Sequence, residues 1–426
     1  MGLNSAVPMS LLPDTAQVGS EGRLMIGGVD VVGLADTYGT PLFVYDEQHL
    51  LDRCEQAVSA WGPGVAYATK AFLCKEMARL AYRAGMLLDV STGGEMHTAL
   101  DAGVPGSSLI LHGNNKSLEE LSTALSNKVA RIVIDSFDEI DRLAALASTD
   151  TPQAVMIRVT PGIEAHTHEY VRTGQEDSKF GFGLERGDAA RAVVAVRNTP
   201  GLDLVGIHAH IGSQVFAAES FAKAVEVLAG FFVGLDLEEL CIGGGLGVGY
   251  VEGETAPTIS QWASVVKKAA KAAGIPSQVR ITAEPGRSIV AQAAITIYRA
   301  GTIKQIAGLK TFIAVDGGMS DNPRPVLYGS GYEIFSPSDV LAERSLIADV
   351  VGKHCESGDF IVKAARVPAS VAVGTYLATP VSGAYGYSMA SNYNRVPRPA
   401  VLFVKDGQSR VVVRRETFED LVALDV

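Results

Sequence analysis

Five short apolar runs in this chain end on residues able to do chemistry. Lys70 closes VAYATK, His112 closes SLILH and His210 closes LVGIHAH, while Gly243 to Gly245 close LEELCIGGG and Glu284 closes VRITAE. A lysine in a protein mouth can lose its proton through desolvation and act as a nucleophilic amine. Taken alone, Lys70 reads as a solvated surface lysine in a βα loop, which is where most lysines lie. The run Gly243-Gly244-Gly245-Leu246-Gly247 follows a strand, so its backbone N–H groups could cradle a phosphate. Its spacing matches neither GxGxxG nor GxxxxGK[ST], and a tight turn needing positive φ explains it as well. Gly286 and Arg287 offer a further glycine and a cation in AEPGR. Beside a pyridine nitrogen, a carboxylate such as Glu284 would keep the ring protonated and strengthen it as an electron sink. His208 and His210 flank Ala209, so in a strand both point to one face. Either could stack on a flat ring or simply be a hydrogen-bonded core residue.

The elements that carry these residues have a rhythm. Apolar, often β-branched runs begin near Val65, Leu87, Ser108, Arg131 and Ala154, and again near Leu204, Leu237 and Val279. Helically spaced stretches such as Lys75 to Gly85 and Phe221 to Leu235 lie between them. Strand alternating with helix implies a parallel sheet, and eight such units fit a (β/α)₈ barrel, whose typical length is about 250 residues. A doubly wound open sheet is the competing arrangement. In a barrel, the strand ends share one mouth, which would gather the five chemical ends. Beyond about residue 290, runs such as Ala294–Tyr298, Thr311–Val315, Leu346–Val351, Phe360–Val362, Ala400–Val404 and Arg410–Arg414 read as strands with few helices. The expected organisation is residues 1–45 as N-terminal strands joining a β domain, 46–290 as the barrel, and 291–426 as the C-terminal β domain.

Composition narrows the function classes. A formal charge of −11 without a basic block argues against nucleic-acid binding. No apolar run is long enough for a membrane span, and no secretory signal is visible. Met1-Gly2 is followed by Ala6 where a myristoylation motif wants Ser or Thr. Cys54, Cys74, Cys241 and Cys355 form no CxxC pair, so a zinc site is not expected and a reducing cytoplasm is.

Taken together, the residues resemble the fold-type III pyridoxal-phosphate decarboxylases, and among them the diaminopimelate decarboxylase family. The motifs are YATKA at Lys70, DVSTGGE at Asp89, HGNNKS at His112, HAHIGSQ at His208, IGGGLGVGY at Ile242 and EPGRSI at Glu284. They continue with DGGMSDNPRPVLYG at Asp316, KHCESGD at Lys353 and GAYGYSMASNYNRVPRP at Gly383, in the family's order from about Pro41 to Leu424. No position where the family places a catalytic group departs from its pattern. The resemblance implies pyridoxal 5'-phosphate as cofactor and decarboxylation of meso-2,6-diaminopimelate to L-lysine, the last step of lysine biosynthesis.

Carried over residue by residue, Lys70 would hold the cofactor covalently, His210 would stack on its ring and Glu284 would pair with its nitrogen. Asp89 would join the cofactor site. Ser213, Gly245, the backbone around Gly286, Arg287 and Tyr385 would hold the phosphate side, with Asn392 in the same C-terminal stretch as Tyr385. Cys355 and Glu356 resemble the loop that, in this family, enters the partner subunit's site, where the cysteine protonates the carbon that loses CO₂. That implies a homodimer with a shared active site. Arg287, Arg324, Tyr328, Glu356 and Tyr385 resemble the substrate-binding residues; an arginine fork suits the distal carboxylate, although Arg324 by itself would read as a surface salt bridge. The long polar segment Gly162 to Phe182, with His166, His168, Tyr170 and Arg172, is expected to cover the site. An ornithine- or arginine-type decarboxylase of the same fold would lack the distal-carboxylate groups. A racemase would place arginine, not Glu284, at the ring nitrogen, and a non-catalytic homologue would have lost Lys70 or Cys355.

Overall fold

The computed structural model describes residues 6–162 and 178–426. The chain forms two compact units, one of Arg53–Gly247 with Ala256–Ser288, the other of Met1–Asp52, Val248–Thr255 and Ile289–Val426.

The first unit is the expected barrel. Its strands are β1 (Ala66–Ala68), β2 (Leu87–Val90), β3 (Leu109–Leu111), β4 (Arg131–Ile134), β5 (Gln153–Thr160), β6 (Leu202–His208), β7 (Glu239–Cys241) and β8 (Arg280–Thr282). Each pairs in parallel with the next, from β1 to β8. Ala66 N–H donates to Ala283 O at 3.0 Å and Ala68 N–H to Pro285 O at 3.1 Å, which joins the first strand to the end of the last. Those two bonds decide for a closed barrel over the open sheet. Ala66, Ile110, Val133, Met156 and Cys241 then form one buried cluster drawn from five strands.

The intervening helices follow their sequence patterns. In Lys75–Arg83 the buried positions Met77, Ala78, Leu80 and Ala81 make a single stripe. Leu118–Ser126 starts on a capping box of Ser117 and Glu120, which satisfies two otherwise orphaned N–H groups. The helix read from Phe221 to Leu235 runs Ala218–Phe232. Phe221 meets Trp262 of helix Ile259–Ala272 at 5.2 Å between ring centroids.

The two ends of the barrel differ in chemistry. At the strand starts, buried Glu239 is held by Arg131 Nη2 (2.6 Å), Arg280 Nη2 (3.1 Å) and Thr282 Oγ1 (2.9 Å), a closed ionic knot. The strand ends carry the groups singled out from the sequence, on the side where barrel enzymes do chemistry.

The second unit is mainly sheet. Strand Leu42–Asp46, buried throughout, pairs antiparallel with the long strand Ala294–Ile306 and parallel with Ala400–Lys405. Of the two N-terminal runs read as strands, the one at Pro41–Tyr45 joins this C-terminal sheet, whereas Leu24–Ile26 pairs within a separate three-stranded sheet. Two apolar clusters fill the unit, one around Leu42, Val44, Ile295 and Leu402, the other around Tyr298, Ile313, Val350 and Ile361. Val248–Thr255, between β7 and β8 in the chain, belongs to this unit. Among the described residues, no helix is long and apolar enough to cross a membrane.

Candidate active site

Glu284 is the electrostatic centre of the barrel mouth. It follows β8, is buried, accepts a hydrogen bond on Oε2 from His208 Nε2 and is ion-paired on Oε1 with His112 Nε2, each at 2.9 Å. Burial alone would favour the neutral acid, but the charges and hydrogen bonds of His112 and His208 outweigh it and hold the carboxyl well below its usual range. The site therefore keeps a fixed negative charge. His112 shows the reciprocal effect: burial opposes its protonation, yet Asp89 and Glu284 raise its pKa. Asp89, in β2, lies 3.7 Å from His112 Nε2 and is buried. The two histidine rings meet edge to face at 4.9 Å.

His210 differs from His208. It lies just beyond β6, half-buried, and its Nδ1 accepts the Gly244 N–H at 3.2 Å. Burial, then the positive charges of Lys70 and Arg158, push its pKa well down, so the ring stays neutral. With the strand ended at His208, one ring binds Glu284 and the other binds the glycine loop.

That loop needs its glycines because it runs against backbone. A Cβ at Gly244 would sit 2.3 Å from Glu284 O, and one at Gly245, where φ is 113°, would sit 2.2 Å from Gly212 O. Val215 N–H donates to Gly245 O, and Gly247 N–H to Val215 O, both at 2.9 Å, so loops 211–215 and 243–247 form one cradle. Arg287 Nη2 donates to Ser213 Oγ at 3.0 Å and brings a buried cation to it. Gly286 packs on the first strand, where a Cβ would meet Ala68 O at 3.0 Å.

Lys70 follows β1 on a one-turn helix, Thr69–Ala71, and its side chain is exposed among the described residues. The desolvation anticipated for a strand-end lysine is thus not supplied by the barrel. Its two neighbours Thr69 and Ala71 are buried, and Thr69 Oγ1 donates to Asp89 O at 2.8 Å. What the barrel does supply is position, beside Glu95, His112 and His210, whose titration its charge influences.

Two features of the barrel escaped the sequence reading: the role of Arg158 and the pairing of His112. Arg158, on β5, is mostly buried, lies 3.6 Å from Asp135 and stacks over Phe180 at 4.3 Å. Burial lowers its pKa, while Asp135, Glu284 and Asp89 oppose that. A lone cation inside the apolar run QAVMIRVT was the available signal. His112 was recognised as a strand end, but its bond to Glu284 joins residues 172 apart in the chain and had no local trace.

The second unit carries the remaining candidates. Arg324 opens helix Arg324–Tyr328 and is 3% exposed, which excludes the surface-salt-bridge alternative. Its guanidinium lies over Tyr250 at 4.1 Å and Tyr332 at 5.4 Å, and it donates to Tyr332 OH. Burial is outweighed by these tyrosines, so its pKa is raised, and its Nε is buried with no protein acceptor among the described residues. Neither tyrosine was predicted from the sequence. Tyr328 is half-buried. Tyr385 is half-buried at φ 63°. Cys355 and Glu356 are exposed on a turn, with Tyr393 OH donating to Glu356, and the other three cysteines are buried. Asn392 is spent elsewhere, on Glu416 Oε2 and Val396 O. Most of the segment expected to cover the site, residues 163–177, lies outside the described residues.

Comparison with known proteins agrees with this chemistry. Residues 47–291 match the family model described as pyridoxal-dependent decarboxylase, pyridoxal binding domain. The chain is 43% identical to a diaminopimelate decarboxylase of Halalkalibacterium halodurans, over 97% of each. Among solved structures, it resembles a diaminopimelate decarboxylase of M. jannaschii in complex with L-lysine, with TM-score 0.89 and 29% identity over 97% of this chain and 98% of that one. A Helicobacter pylori diaminopimelate decarboxylase complexed with L-lysine gives 0.85 and 31% over 93% and 99%.

Proposed function

Because this chain belongs to the diaminopimelate decarboxylase family of pyridoxal-dependent enzymes, we propose that Lys70, Glu284 and the glycine loops hold the cofactor and that Arg324 and Glu356 read the substrate. The reaction is decarboxylation of meso-2,6-diaminopimelate to L-lysine and CO₂, the last step of lysine biosynthesis, with pyridoxal 5'-phosphate as cofactor. The observation that carries the assignment is Glu284, held ionised between His112 and His208 in the barrel mouth.

The residues present fit that cofactor. The Glu284 carboxylate can keep a pyridine nitrogen protonated, and neutral His210 offers an uncharged ring for stacking. The cradle of Gly243 to Gly245 with Ser213, Gly286 and Arg287 suits a phosphate, and Tyr385 is assigned to the same group. Lys70 supplies an exposed amine for covalent attachment, and Asp89 favours the charged form of His112. The bound cofactor provides the electron sink that lets CO₂ leave. The protein's share is orientation, fixed charge and a proton.

Arg324 is assigned to the distal carboxylate of the substrate, because a buried cation with an unused Nε seeks an anion. Glu356 is assigned to the distal ammonium, Arg287 and Tyr328 to the remaining polar contacts, and Cys355 to the proton returned to the carbon. The exposure of Cys355 and Glu356 supports their delivery to the site of a second copy, making the working form a homodimer. Four free cysteines suit the cytoplasm.

The decisive experiment compares CO₂ release from meso-diaminopimelate and from ornithine by purified enzyme. Ornithine has no distal carboxylate for Arg324, so turnover only with diaminopimelate is expected; preference for ornithine would refute the substrate assignment. Lys70→Ala should lose the absorbance of covalently bound cofactor together with nearly all turnover.

A further inference from the structure

The turn bearing Cys355 and Glu356 has no packing of its own, since residues 355–358 are all exposed. Its geometry is set at its base. Cys355 N–H donates to Asn394 Oδ1 at 3.3 Å, and His354 Nδ1 lies 3.2 Å from the same oxygen. A peptide N–H can only donate, so the Asn394 atom facing it is the oxygen, and His354 Nδ1 must then carry a proton. In the neutral ring, Nε2 accepts from Ser320 Oγ at 2.8 Å. His354 is buried and stacked on Tyr393, with ring centroids 5.5 Å apart and planes 29° apart, and Tyr393 OH holds Glu356. On the far side of the turn, buried Asp359 accepts His354 N–H at 2.9 Å and Met319 N–H at 2.7 Å. Asn394 itself has φ 52°, a conformation that asparagine tolerates better than most residues.

We infer that Asn394 is a positioning residue for this turn: its side-chain oxygen, shared by Cys355 N–H and buried His354, fixes the direction in which Cys355 and Glu356 project. The inference rests on the assignment of Cys355 as proton donor. A donor placed by one exposed turn gains little from the rest of the fold, and small displacements of a reacting group are costly in rate. The oxygen of Asn394 joins three segments distant in sequence: the turn itself, Ser320 through His354, and the Tyr393–Asn394 stretch.

Two substitutions separate the oxygen from the backbone. Asn394→Gly keeps the positive φ without the acceptor, and Asn394→Asp keeps both. Hydrogen exchange by mass spectrometry on the holoenzyme reads the 353–359 peptide, while barrel peptides report the fold. Loss of the acceptor in Asn394→Gly should speed exchange there by about fivefold or more. The same variant should lower kcat for diaminopimelate by about tenfold with little change in KM. Asn394→Asp should keep slow exchange and most of kcat. Unchanged exchange in Asn394→Gly, or equal losses in both variants, would overturn the inference. Cys355→Ala tests the underlying assignment separately. Wild-type kcat in that variant would remove the donor role and with it the catalytic part of the inference, whereas the exchange result judges the clamp alone.

Discussion

Glu284 shows how three ordinary residues become one electrostatic unit. Neither histidine nor the carboxylate is unusual by type, but burial makes each protonation state depend on the others. Glu284→Gln removes the charge while keeping the shape, so kcat should drop by about a hundredfold or more, the scale of losing a charge directed at a reacting ring. Cofactor absorbance checks that the site is still loaded; near-normal turnover would refute the role. The same unit has a pH signature. The folded-state pKa of His112 is raised above the ordinary value of about 6.5, so its charge stabilises the fold fully below that value and less as pH rises through the folded one. The urea midpoint of His112→Gln should therefore fall furthest behind wild type near pH 6 and approach it in the alkaline range. A gap that widens with pH would contradict the pairing.

At the scale of elements, loops hold the site by close approach and by buried ions. Gly244 has an ordinary φ, so only space forbids a side chain there, and Gly244→Ala must push the loop off Glu284 O. Overpacking of this kind costs about 1–3 kcal/mol, and because His210 leans on the same N–H, cofactor affinity should fall together with the melting temperature. Wild-type cofactor retention would show that the loop yields without moving the ring. The loop after β3 depends instead on Lys116. This buried lysine is ion-paired with Glu139 Oε1 (2.7 Å) and donates to Gly113 O (2.7 Å) and Val133 O (2.6 Å). Lys116→Met leaves Glu139 buried and unpaired, a loss of about 3–5 kcal/mol by urea unfolding. The double variant with Glu139→Leu should recover much of it, since removing both charges also removes the desolvation cost. A double variant as unstable as the single one would show that the loss lies in Lys116's carbonyl bonds.

For the whole molecule, the assignment of Cys355 to a second copy makes a prediction that no single chain can meet. Lys70→Ala and Cys355→Ala should each be nearly inactive alone. Mixed at equal amounts under conditions that exchange subunits, they should recover about a quarter of wild-type activity, because half the dimers are then mixed and each has one intact site. No recovery in verified mixed dimers would place donor and lysine on the same chain. The chain sequence by itself determined a good deal. Alternating strand and helix patterns specified a parallel sheet of eight units, because strand and helix periods are local properties, and they placed the chemically able residues at the strand ends. Lys70, Glu284 and the glycine loop were legible because each closes an apolar run. Tertiary structure alone decided the rest. Closure of β1 onto β8 is a long-range pairing with no local signature. The two histidines on Glu284, the cation of Arg158 and the tyrosine box around Arg324 arise from contacts between distant segments. The exposure of Lys70 was likewise settled by its surroundings. A protonation state depends on distance and burial, and only the folded chain sets either.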